Sequence, residues 1–121
     1  DERMQHPLMK VPPVDLAPLP KLVEAHPNLR LMLLNGVRSL SPAVVKLLAK
    51  APGVGFDIAM LDGIGGVARA VEALSARRVL FGSHSPFYYF ESALLKIKEA
   101  GLSEEQARRV CLENARQLLS R

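Results

Sequence analysis

The chain of 121 residues contains a single cysteine, Cys111. One thiol excludes an internal disulfide and any zinc site built from several cysteines. It fits a reducing compartment, so a cytoplasmic location is expected. Cys111 falls on the apolar side of an expected helix, which predicts a buried, inert thiol rather than a nucleophile. No apolar run approaches the roughly 20 residues that span a bilayer, so no membrane partner is expected. The longest runs, residues 31–34 among them, have the length of a strand. No segment has the charged-then-apolar pattern of a signal peptide. Aromatic residues are few, at 5%, and cluster at residues 87–90 without flanking basic side chains. The formal charge is +4, but Lys and Arg are spread along the chain, and only Arg77-Arg78 and Arg108-Arg109 are adjacent. A nucleic-acid surface concentrates its charge on one face. A solvated basic surface is therefore expected, and a nucleic-acid partner is not.

What the chain does have is ordinary material for a folded core: 49% hydrophobic and 23% charged residues. Residues 1–14 carry Pro7, Pro12 and Pro13 without periodicity and read as an arm or loop. Residues 15–121 read as one α/β unit. A first helix is expected over residues 15–25, with Asp15 as N-cap and Pro27-Asn28 as its stop. Residues 29–35 are apolar at nearly every position, which suits a strand covered on both faces. Ser41-Pro42 opens a second helix, and Pro52-Gly53 closes it. Further strands are expected over residues 54–61 and 78–82. Helices are expected over residues 67–74 and 86–100, the latter closed by Gly101. Ser103 and Gln106 form a capping box for a last helix, whose inner face carries Ala107, Val110, Cys111, Ala115, Leu118 and Leu119.

Strands separated by helices pair in parallel through right-handed crossovers. Three strands make an incomplete sheet with two exposed edges, which predicts completion by further strands or by self-association. Ligands of such sheets bind at the carboxyl ends of the strands. That selects Asn35-Gly36-Val37-Arg38, Leu61-Asp62-Gly63, and Gly82-Ser83-His84-Ser85-Pro86.

The third segment carries a resemblance. Residues 77–86, Arg-Arg-Val-Leu-Phe-Gly-Ser-His-Ser-Pro, resemble the last strand of the amidohydrolase-related family, which typically reads Arg-hydrophobic-Leu-Phe-Gly-Ser-Asp-x-Pro. The Gly101-Leu-Ser-Glu-Glu segment follows, and Asn114-Ala-Arg-Gln-Leu is similar to the Asn-Ala-x-x-Leu signature of the family's closing helix. His26-Pro-Asn-Leu-Arg-Leu-Met-Leu-Leu-Asn35 resembles its Pro-x-Leu-x-hydrophobic-hydrophobic-His strand. The likeness spans residues 15–120. It implies the last part of a (β/α)8 barrel with an extra C-terminal helix, and 121 residues are too few for a whole barrel of roughly 250. It also implies metal-dependent hydrolysis, or decarboxylation, of a small carboxylic acid, ester or amide. A divalent metal, usually zinc, would lower the pKa of bound water beside a carboxylate that accepts the proton.

The sequence departs from that pattern where it matters. His84 stands where the family has the last-strand Asp, and Asn35 where it has a histidine. There is no His-x-His pair. His84 can still ligate a metal or act as acid or base, because imidazole titrates near neutral pH. Asn is a poor zinc ligand. This chain alone cannot assemble the family's metal site. Asn35, Arg38, Asp62, Ser83 and Ser85 are candidate substrate contacts, Arg38 through a bidentate bond to a carboxylate. Asp62 is equally a helix cap, and the two serines equally stabilise a turn. Asp57 falls inside the second strand, aimed either at a barrel interior or at solvent. Three readings follow: an enzyme with His84 at its site, a non-catalytic relative that keeps the ligand face, and a segment that persists by association through its open edges.

Overall fold

The structure, a computed structural model, describes residues 14–37 and 40–120. Most of the expected arm, and Arg38, lie outside the described residues. Three strands form one sheet in the order β1-β2-β3, all parallel. They are β1 (Leu31–Leu33), β2 (Val54–Asp57) and β3 (Val79–Leu80). Helices α1 (Leu19–Ala25), α2 (Pro42–Ala49), α3 (Gly66–Leu74), α4 (Phe90–Glu99), α5 (Glu104–Arg108) and α6 (Asn114–Leu119) lie before, between and after them. The α/β order is the expected one, with shorter elements. Helix α1 begins after Pro18, not at Asp15, whose carboxylate instead accepts from the Ala17 N–H. The Ser41 cap on α2 and the Ser103–Gln106 capping box on α5 both form.

Register explains which face of the sheet is buried against helices. Leu33, Phe56 and Val79 are neighbours across the three strands. All three join Val45, Leu48, Val67, Val71 and Leu74 in the core. Alternation therefore puts Met32, Gly55, Asp57 and Leu80 on the other face, the one a barrel would close around.

The two edges are not alike. Pairing with β2 uses the carbonyls of Arg78 and Leu80, which accept from Phe56 and Ile58. The lateral groups of Val79 and Phe81 then face the outer edge. The C-terminal helices cover that edge. Asn114 donates to the Val79 carbonyl (2.7 Å), and the Phe81 N–H donates to the Val110 carbonyl (2.8 Å). The second bond depends on a π-helical turn, Arg109–Glu113, between α5 and α6. There the Asn114 N–H reaches back to Arg109, and the loosened ladder leaves the Val110 carbonyl to serve the strand. The expectation of two exposed edges is thus corrected: β3 is capped, and among the described residues no strand pairs with the outer edge of β1.

The same turn corrects Cys111 and Leu119. It rotates the helix so that Val110 and Asn114 face inward, while Cys111 is exposed and Leu119 is 79% exposed. Among the described residues, no helix is long and apolar enough to cross a membrane.

Candidate functional site

The carboxyl ends of the strands bring together Asn35, Asp57, Gly82 and His84. Asn35 follows β1 in the left-handed region (φ 56°), and His84 follows β3 there too (φ 55°). Asn tolerates this conformation; His does so less readily, at a cost of roughly 1 kcal/mol or more. The surrounding bonds hold both. The Asn35 N–H donates to Asp57 Oδ1 at 2.8 Å, and Asn35 Nδ2 lies 3.1 Å from His84 Nδ1. An amide nitrogen only donates, so Nδ1 accepts here when the imidazole is neutral, with the ring proton on Nε2. The rings of Phe87 and Tyr88 flank His84 at 5.3 and 5.4 Å.

Asp57 is the hub that sequence reasoning missed. The strand ends at Asp57, not at Leu61 as expected, so this carboxylate is terminal rather than mid-strand. The usable signal was the abrupt change from Val-Gly-Phe to a charged residue. Asp57 is 5% exposed. Its carboxylate sits against Gly82, where a Cβ would lie 2.6 Å from Oδ2. Gly82 is thus required for space.

Burial pushes the Asp57 carboxyl above its ordinary value of 3.8, against the opposing pull of the Asn35 N–H, the nearby His84 and the Ala59 N–H. The folded state therefore favours the protonated form. That contribution to stability is complete below about pH 3.8 and is lost as the pH rises through the folded value. Asp57→Asn keeps an oxygen for the Asn35 N–H and removes the charge. It is expected to gain stability over the parent chain progressively as pH rises above 3.8. Urea unfolding at a series of pH values checks this; a difference independent of pH would contradict it.

The other candidates are placed as follows. The Asp62 carboxylate lies 4.0 Å from Lys96 Nζ in the loop beyond β2, with its side chain 64% exposed. Lys96 also donates to the Ala59 carbonyl at 2.8 Å, tying α4 to that loop. Ser83 Oγ accepts from the Ser85 N–H at 3.3 Å, forming a local turn ahead of a cis Ser85-Pro86 bond. The structure thus brings Asn35 and His84 together and sets Asp62 beside Lys96.

A family model described as amidohydrolase matches residues 6–121. The chain belongs to the amidohydrolase family. Neither the curated proteins nor the solved structures gave a match. The three parallel strands with alternating helices are accordingly part of a TIM-barrel-like amidohydrolase fold, with the sheet left open.

Amidohydrolases usually bind a divalent metal, and the residues present here do not fit one. Asn35 brings an amide where a ligand imidazole is expected, and that amide occupies Nδ1 of His84. Asp57 Oδ1 already accepts the Asn35 backbone N–H. The space bounded by Asn35, Val37, Asp57, Met60 and Leu61 is too small for a water molecule. Among the described residues, no three His, Cys, Asp or Glu side chains are grouped to hold an ion.

Proposed function

We infer that this amidohydrolase segment forms one side of a rim that binds a small carboxylic acid, ester or amide, without supplying metal ligands of its own. The observation that carries this reading is the Asn35–His84 hydrogen bond, made between the two positions where the family has ligands. In the neutral imidazole it makes Nε2–H the ring donor, suited to a carboxylate or carbonyl oxygen. Asp57 orients Asn35, and Asn35 orients His84. The contacts sit on strand ends, as in other parallel barrels. The β1 edge is where we place the strands that complete the sheet, whether from the rest of a barrel or from a second copy.

The test is calorimetric titration of the full-length protein with benzoate, with and without EDTA. Binding unchanged by EDTA is expected. His84→Ala is expected to weaken it about tenfold, the worth of one hydrogen bond to an anion. Binding that requires a divalent ion would overturn the reading. Family membership favours a second reading, in which a complete barrel hydrolyses or decarboxylates such acids with His84 as acid or base and ligands from other strands. Turnover abolished by EDTA and restored by zinc would select it.

A further inference from the structure

The end of the sheet opposite Asn35 and His84 carries a second polar site. Arg30 precedes β1, and Arg77 and Arg78 precede β3, so parallel topology brings all three to the amino ends of the strands. There they line a cavity of about 250 Å³, with Asn28 and Gln117 beside them. Among the described residues, no Asp or Glu lines it. Among the described residues, no ion pair joins any of these three arginines to a carboxylate, whereas Arg109 is bracketed by Glu105 and Glu113.

Two of the guanidinium groups are held in place by neutral partners. Arg30 Nη1 donates to the carbonyls of Leu118 (3.1 Å) and Ser120, and Arg78 Nη1 donates to that of Pro52. These bonds engage one nitrogen of each planar group and leave the charge uncompensated. The Nε and Nη2 donors remain for a bidentate contact. Burial and the adjacent Arg77 both lower the pKa of Arg78, as expected of positive charge gathered without a counter-ion.

We propose that this cavity binds a small phosphate-bearing anion through Arg30, Arg77 and Arg78. Three cations lining one cavity match the multiple charge of phosphate or diphosphate better than a single carboxylate. The volume lies below the roughly 300–1,000 Å³ of pockets for drug-sized ligands, which favours the bare anion or a very small ester over a nucleotide. Because Leu118 and Asn114 also line the cavity, an occupant bridges the C-terminal helix and the strand ends. Binding therefore stabilises the fold.

The probe is inorganic pyrophosphate, titrated into the 121-residue chain at low ionic strength by calorimetry and thermal unfolding. Saturable binding near about 0.1 mM, with a raised Tm, is the expected result. Among the described residues the Arg77 side chain makes no hydrogen bond, so Arg77→Ala leaves folding intact; it is expected to weaken binding about tenfold or more. Arg77→Lys restores part of that loss. Lys46→Ala removes the same charge from α2 and leaves the affinity unchanged. The proposal fails if no saturable binding occurs up to about 10 mM. It fails equally if Arg77→Ala binds as the parent does, or if Lys46→Ala loses as much, which would mean diffuse attraction only.

Discussion

Asn114→Leu is expected to lower the unfolding free energy by roughly 2–5 kcal/mol, from one buried and one part-buried carbonyl left without a donor. Leucine has the branching and heavy-atom count of asparagine but bulkier methyl groups, so overpacking adds to the change of polarity. The Asn114 amide donates to Ala76 (2.6 Å) and to Val79 (2.7 Å), and the residue is 5% exposed. Water cannot readily replace it, because Val79 is itself 1% exposed. Each orphaned acceptor costs roughly 1–3 kcal/mol, and the added apolar burial offsets only part of this. Asn114→Asp is expected to be at least as damaging, since it sets a charged acceptor against two acceptors. Urea unfolding measures both. A second readout follows from position. Asn114 shields the outer edge of β3, so its loss opens that edge to strand addition. Sedimentation should then show association that rises with concentration in Asn114→Leu and not in the parent. An unchanged urea midpoint would show that the amide is dispensable and the edge is guarded by other means.

This residue illustrates what was legible in the sequence. The Asn-Ala-x-x-Leu segment marked the closing helix, but nothing in its pattern said that the asparagine would serve the strand. That role depends on the π-helical turn, which no helical periodicity announces. A four-residue step from Val110 to Asn114 fits an ordinary helix as well as a widened one. Periodicity therefore placed Cys111 and Leu119 inward, and the turn put them outward. By contrast, the strand–helix alternation was readable because each apolar run is short and bounded by Pro, Gly or a cap: Pro27 before β1, Pro52-Gly53 before β2, and Ser41 and Ser103 at helix starts. The rim was readable in part. Asn35 and His84 stood out because strand ends are where ligands bind. Asp57 did not, because the second strand was drawn four residues too long, from 54–61 rather than 54–57. Residues 58–60 are apolar and fully buried, so hydrophobicity alone gave no reason to stop. Their burial comes from tertiary packing after the strand, not from the sheet.

The same hub predicts a large effect at a residue without a side chain. Gly82→Ala would place a methyl 2.6 Å from Asp57 Oδ2 and 3.0 Å from its Cβ. Asp57 has little freedom to yield, since Oδ1 holds the Asn35 N–H. One outcome is that the carboxylate swings away and releases Asn35 from its left-handed conformation. The other is that the chain after β3 moves, carrying His84 from Asn35. Either relaxation costs about 1–3 kcal/mol in stability and separates the two rim residues. A double-mutant cycle distinguishes this from a general intolerance of alanine. Asp57→Ala removes Oδ2 and Cγ and leaves only Cβ, 3.0 Å from the new methyl, so Gly82→Ala in that background should cost less. The coupling between the two sites is then expected to reach about 1 kcal/mol or more, as for residues in direct contact. Additive losses in urea unfolding would mean that Gly82 is needed for its backbone alone, and that Asp57 does not lock the rim.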